Sequence, residues 1–438
     1  MKLKNLKNKK ILILGLGIEG IDNLKFLTKT FPGEIIAVGD RLEFDDLNPA
    51  AKKIIKERKK LRLHLGKSYL EFLKHYDVII KSPGISPSTL KPFLTKKQTI
   101  TSQTEIFFNN CPGKIIGITG TKGKSTTASL IYAILKENGI KAYLGGNIGK
   151  PVLSFLESSK PENVYVFELS SHQLLNLKKS PHIAVFLNIY KEHLDYYDGF
   201  KEYISAKSNI LRYQRKSDYL IFNSKNKLVN KEAKKSKAKK IPIDSVKIKK
   251  IDTLLKGDFN VFNIKAAIAV ARLFDLQDKD ILKSIKKFKS LKHRLEYIGI
   301  YKGIKFYNDA LSTVPEATIA ALDALGNNVE TIFLGGLDRG IDFKGLAKRI
   351  LKSKIKTLIL FQTTGDKIYR QIVALDDSKK YKAILVQNMK DGVDMAFKYT
   401  QKGKICLLST ASPSFTLFKD YKEKGNLFKK YVKLYGKR

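Results

Sequence analysis

The chain has 438 residues, 43% of them hydrophobic, and carries a formal net charge of +42. The length suits about three domains, and the apolar fraction excludes wholesale disorder. The charge raises nucleic acid as a partner, but the basic set is 72 Lys against only 11 Arg, spread along the whole chain without an RNA-type aromatic signature; because Arg is the usual base and phosphate reader, no nucleic acid is expected.

The first residues, MKLKNLKNKKILILGLGIEG, imitate a signal peptide, yet the apolar run is short and soon meets Glu19 and Asp22. No stretch approaches the ~20 apolar residues of a membrane span. The two Cys give no disulfide framework. A cytoplasmic protein without membrane insertion is expected.

Short β-branched runs alternate with helical patterns, which predicts parallel α/β units. KILILGLG, EIIAVGD and DVIIKSPG come first, KIIGITG, VYVFELS and IAVFLNI next, and IKFYND, TIFLGG, KTLILFQ, KAILVQ and KICLLS last. Turn-rich breaks at 109–113 and near 290 divide the chain into domains at 1–110, 111–290 and 291–438. The Lys-rich stretch 224–250 reads as a solvated surface excursion of the middle domain. Each strand ends in a polar or Gly-rich loop, which is where open α/β sheets bind ligands.

Gly15-Leu16-Gly17-Ile18-Glu19-Gly20 has the G-x-G-x-x-G spacing, and Asp40 ends the next strand 20 residues on. Such a loop lets backbone N–H groups and a helix N-terminus meet a diphosphate, and Asp40 suits a sugar hydroxyl or a base N–H. An NAD-dependent oxidoreductase and a simple tight turn both remain open at this point.

Residues 114–127, KIIGITGTKGKSTT, run from a buried strand into a glycine loop and a helix. This is a phosphate cradle: Gly120, Thr121 and Gly123 expose backbone donors, Lys124 neutralises phosphate, and Ser125 or Thr126 can ligate Mg²⁺. It departs from strict P-loop spacing, since Ile118 stands where the first Gly belongs. ATP is the expected cofactor. Glu168, closing the strand VYVFE, is the expected carboxylate for Mg²⁺. His193, taken alone, reads as an ordinary histidine, and Lys207 as a solvated charge.

Together these segments resemble the Mur ligase family of ATP-dependent amide-forming enzymes. The resemblance extends through SPGISP, GGNIGKP, FELSSHQL, LNIYKEHLDYY, YISAKSNI, GDFNVFNIKAA, LKHRLEYI, YNDALSTVPEAT, GGLDRGIDF and LLSTASPSF, and so covers essentially the whole chain. It implies three α/β domains: an N-terminal Rossmann-like UDP-binding domain, a central P-loop ATPase-type domain and a C-terminal Rossmann-like domain that closes over the site. The implied substrates are UDP-N-acetylmuramoyl-L-alanine and D-glutamate. A sibling reaction with another amino acid, such as L-glutamate, is the nearest alternative.

By matching positions, the resemblance assigns Gly15, Gly17, Asp40, Arg41, Ser82, Gly84 and Asn147 to the UDP substrate. It adds Asn260, Asn263, Arg294 and Asp309 to the nucleotide set, and places His293 near ATP among the catalytic residues Lys124, Lys207, His193 and Glu168. Ser125, Glu168, His193 and a carbamylated Lys207 would serve two Mg²⁺ ions. Arg339, Ser414, Phe415 and Tyr421 match positions around the incoming glutamate. Two departures stand out: Leu311 and Arg339 lie where several relatives carry Lys. The Asn-Pro-Arg signature of diaminopimelate- or lysine-adding relatives is absent. A monomer is expected.

Overall fold

The segments ILIL, VIIK and IAVF are buried at every position, as strands covered on both faces must be. A computed structural model describes the chain apart from residues 59, 60, 193–195, 249–252, 379, 380, 416 and 438. By internal contacts it divides into one unit of Met1–Lys250 with Phe262–Ile285, and another of Ile251–Val261 with Lys286–Arg438.

The first unit contains two parallel sheets. One comprises β1 (Ile11–Leu14), β2 (Ile36–Asp40), β3 (Leu61–Leu65), β4 (Val78–Lys81) and β5 (Thr99–Thr101), in the order β3-β2-β1-β4-β5. The strand order reverses between β1 and β4, so the loops after these two strands face each other across the switch point. The other has β6 (Lys114–Thr119), β7 (Ala142–Gly146), β8 (Val164–Glu168), β9 (Ile183–Phe186), β10 (Tyr219–Phe222) and β11 (Lys239–Pro242), ordered β11-β10-β9-β6-β8-β7. Here β6 is central, flanked by β8 and β9. The stretch 224–250 is more than a surface excursion: its helix Lys227–Ala233 buries Val229 and Ala233, and β11 pairs with β10.

One hydrophobic core runs through both sheets. Phe107 and Phe108, on the helix Gln103–Asn110 of the first sheet, pack their rings 4.9 and 5.7 Å from Phe167 of β8. A buried polar network reinforces them. Gln103 Nε2 donates to Asp22 Oδ2 at 3.0 Å and Asn23 Oδ1 at 2.8 Å, while Leu153 N donates to the same Asp22 oxygen at 3.0 Å. Burial pushes the Asp22 carboxyl above the usual range, and hydrogen bonds from Leu153 and Ser154 oppose the shift. A satisfied buried network of this kind holds its elements in one arrangement.

The second unit has β12 (Glu296–Tyr301), β13 (Ile304–Asn308), β14 (Val329–Gly335), β15 (Thr357–Phe361), β16 (Lys382–Leu385) and β17 (Ile405–Leu408). Their order is β12-β13-β17-β14-β15-β16, parallel except for the antiparallel hairpin β12–β13. Among the described residues, no helix is long and apolar enough to cross a membrane.

Candidate active site

The first glycine loop is built by close packing. Gly15 has φ +92°, and a Cβ there would lie 2.7 Å from Ser82 Oγ; a Cβ on Gly20 would lie 1.9 Å from the Gly15 carbonyl oxygen. Ser82 N donates to Leu14 O at 2.9 Å and its hydroxyl to Gly15 O at 3.1 Å, tying the loops after β1 and β4 together. Gly17 and Gly84 differ, since a Cβ on either would meet nothing within 4 Å. Gly17 also caps the helix Ile18–Thr30 without any side-chain bond, which leaves its first N–H groups for an anion. Asp40 faces this loop, but both its oxygens are engaged: Leu16 N donates to one at 2.6 Å and Leu42 N to the other at 3.0 Å. Its carboxylate therefore braces the glycine loop. Arg41 beside it is exposed.

The second glycine loop links β6 to the helix Lys124–Glu137. Gly120 and Gly123 have φ +159° and +87°. A Cβ at Gly123 would lie 2.6 Å from Asn263 Oδ1, so this glycine lets the Asn263 side chain reach the loop. Asn188, after β9, straps the loop from the other side: its Oδ1 accepts from Lys122 N at 2.8 Å and its Nδ2 donates to Lys122 O at 3.0 Å. Lys124 Nζ donates to Thr121 O at 2.9 Å. Thr121, Ser125 and Thr126 are all buried.

Lys207 is no solvated charge. On the helix Phe200–Arg212 it is 2% exposed, and its Nζ donates to Gly120 O at 3.0 Å. Burial, then the nearby Lys124 ammonium, pulls its amine down to about 7. Glu168 is 1% exposed at the end of β8. Its Oε1 accepts from Asn147 Nδ2 at 3.0 Å, while Oε2 is buried with no hydrogen-bond partner among the described residues. His193 lies outside the described residues. Its neighbour Glu192 pairs with Lys122 at 2.7 Å.

Some of these groups, though not Glu168 itself, line a cavity of about 300 Å³. Gly84 reaches it from the first sheet; Lys124, Asn147, Glu192 and Lys207 reach it from the second. Glu19, Ser170, Ser171, His172 and Gln173 also line it and were not singled out from the sequence. The usable signals were local. Glu19 is a variable position of the glycine motif, and Ser170 with Gln173 forms a capping box directly after β8.

In the second unit, the Asp309 carboxyl is fully engaged. It accepts from Leu295 N at 2.9 Å, Ser312 Oγ at 2.5 Å and Ser409 Oγ at 2.9 Å, and burial pushes it up to about 6. It thereby holds the turn carrying Arg294. His293, at φ +66°, is buried; its Nδ1 lies 3.0 Å from Asn308 Nδ2 and its ring 5.9 Å from that of Tyr421. Asn260 is buried and donates to Lys256 O at 2.8 Å. Arg339 is exposed, as is Phe415 at 59%, whereas the Ser414 hydroxyl is buried with no partner among the described residues.

Residues 9–101 match the family model for the Mur ligase MurD-like N-terminal domain, and residues 118–249 that for the Mur ligase middle domain. The chain belongs to the Mur ligase family. It is similar to the UDP-N-acetylmuramoylalanine--D-glutamate ligase of Acetivibrio thermocellus, at 32% identity over 98% of this chain and 97% of that protein. It is similar as well to the ligase of the same name from Clostridium acetobutylicum, at 35% identity with the same coverage. Among solved structures, the MurF ligase of Thermotoga maritima in complex with ADP shares the fold, with a TM-score of 0.58 at 17% identity over 99% of this chain and 98% of that one. The UDP-N-acetylmuramate-alanine ligase MurC of the same organism also gives 0.58, at 15% identity over 98% and 100%.

Proposed function

We propose that this chain is a cytoplasmic, ATP- and Mg²⁺-dependent ligase that joins D-glutamate to UDP-N-acetylmuramoyl-L-alanine in peptidoglycan precursor synthesis. The carrying observation is one cavity lined by Glu19 of the first glycine motif, Gly84, Lys124 at the end of the second glycine loop and the buried Lys207, with the buried Glu168 bonded to its lining residue Asn147. Full-length similarity to D-glutamate ligases supports the substrate pair. Domains at 1–110, 111–290 and 291–438 would carry the UDP part, ATP and the incoming amino acid.

In this reading the alanyl carboxylate attacks the γ-phosphorus of ATP, and ADP leaves. The glutamate amine then attacks the acyl phosphate, loses a proton and expels phosphate, leaving the amide. The glycine loop 120–123 and Lys124 cradle the phosphates and offset their crowded charge. Ser125, Glu168 and His193 are the residues that would hold Mg²⁺, and the buried Glu168 oxygen, without a partner among the described residues, fits that role. The metal would supply charge neutralisation at the phosphoryl oxygens.

Lys207 fits carbamylation, because an amine held near 7 is substantially neutral and nucleophilic toward CO₂ at physiological pH. The carbamate would turn this buried cation into an anionic ligand for a second Mg²⁺. Gly15, Gly17, Ser82, Gly84 and Asn147 would serve the sugar nucleotide, with Asp40 acting through the loop it braces. Asn260, Asn263, Arg294 and Asp309 are proposed for the nucleotide, and Arg339, Ser414, Phe415 and Tyr421 for glutamate. His293, enclosed by Asn308, would act by positioning its turn.

The test is ADP release with UDP-N-acetylmuramoyl-L-alanine in the presence of D-glutamate, L-glutamate or neither. D-Glutamate should stimulate release. No stimulation by either would reject the ligase, and stimulation by L-glutamate alone would favour the sibling reaction.

A further inference from the structure

Glu19 sits in the first turn of the helix Ile18–Thr30 and lines the cavity that also holds Gly84, Lys124, Asn147 and Lys207. Its Oε1 accepts from Gln173 Nε2 at 2.7 Å. Its Oε2 is buried and has no hydrogen-bond partner among the described residues. A buried carboxylate oxygen without a donor is costly, and such a group in a cavity calls for a ligand to satisfy it.

The nearest cation does not meet that need. Lys81 is 5% exposed, and its ammonium donates to the carbonyls of Ser82 at 3.0 Å and Ile85 at 2.6 Å. It acts on Glu19 only through space. Burial raises the Glu19 carboxyl, while the Gln173 bond and the Lys81 charge oppose that rise.

A carboxylate repels phosphate and attracts N–H and O–H donors. The backbone of the same helical turn does the reverse, because its N–H groups are unfilled by any side-chain cap. One turn thus offers an anion site and an adjacent acceptor. These match two chemically different parts of one molecule, a diphosphate and a donor-bearing sugar.

We propose that Glu19 is a specificity-determining residue for the sugar nucleotide, its free oxygen accepting a hydrogen bond from the sugar's acetamido N–H or a ring hydroxyl while the backbone beside it holds the diphosphate. This rests on the ligase reading above and adds a residue that reading does not use.

Titration calorimetry on the full chain, with UDP and with UDP-N-acetylmuramoyl-L-alanine, separates the two parts. Glu19→Gln keeps an acceptor for Gln173 and removes the charge. Its affinity for the sugar nucleotide should fall about tenfold or more, and that for UDP should stay within about twofold, since only the former carries the amino sugar whose acetamido N–H or ring hydroxyl would meet the charged acceptor. Glu19→Asp keeps the charge but withdraws it by one methylene; it should show the same split, and it serves if the Gln variant fails to fold. Equal weakening of both ligands, or of neither, overturns the proposal. If wild type binds UDP and the sugar nucleotide equally well, Glu19 reads no donor of the amino sugar and the proposal also falls. Wild type binding neither would overturn the ligase reading itself, and this inference with it.

Discussion

Replacing Glu168 by Gln separates what this residue does for the fold from what it does for the reaction. The two side chains are nearly isosteric, and Gln can still accept from Asn147 Nδ2 through Oε1. What disappears is a negative charge whose second oxygen is buried and unpartnered among the described residues. Leaving such a group in a protein interior costs roughly 1–3 kcal/mol. Against that stands the through-space attraction between Glu168 and Lys207. The midpoint of thermal unfolding should therefore hold or rise, by about 2–4 °C for each kcal/mol relieved. Activity should move the opposite way. Removing a charged group aimed at the phosphoryl centre typically costs about 10²–10³ in rate. The assay is ADP release at saturating ATP, repeated over a Mg²⁺ series, beside a melting curve on the same preparation. Full activity at low Mg²⁺ would refute the proposed metal role. Lost activity together with a clearly lower melting point would show that Glu168 is structural.

Lys207→Ala should lose about 10² or more of the ADP-release rate, with part restored by acetate or formate, whose carboxylate replaces the carbamate; a fully active variant removes the carbamate role. Arg339→Ala should raise the apparent KM for D-glutamate about tenfold with little change in the KM for ATP, reflecting a lost paired carboxylate contact; an unchanged glutamate KM excludes Arg339 from that subsite. Gly20→Ala puts a Cβ 1.9 Å from the Gly15 carbonyl oxygen, so the helix must back away. A displacement of roughly 1 Å at the diphosphate site should raise the KM for the sugar nucleotide tenfold or more, and an unchanged value would show that the diphosphate is held elsewhere.

The buried strands were readable because continuous apolar runs ending in a polar or Gly-rich loop have few other places to go in an α/β chain. β1, β6, β9, β14 and β17 are of this kind. The strands that escaped reading lie mostly at edges or are mixed in character. β3 is LRLHL and partly exposed, β5 is three residues long, and β11 is KKIP inside the Lys-rich stretch. Their pairing comes from a neighbour's free hydrogen-bonding edge more than from their own side chains. β11 shows why 224–250 reads as surface: its own residues are exposed or half-buried, and it is held by pairing with β10.

By itself, the sequence determined the two glycine loops, the Lys124–Thr126 cradle, the Glu168 carboxylate and the family, because each depends on residue types at short, fixed spacing. The large positive charge was equally plain, yet it identified no partner, being carried mostly by Lys spread along the chain. Tertiary structure alone decided the state of the charges that matter. Lys207 reads as a solvated amine until a 2% exposed position beside Lys124 lowers its proton affinity. Asp40 reads only as a ligand group until two backbone amides on its oxygens show that it also braces the glycine loop. Glu19 reads as filler in a glycine motif until Gln173, 154 residues away, turns it into the cavity wall. Spacing along a chain fixes local backbone chemistry, whereas desolvation and charge proximity depend on segments that only folding brings together.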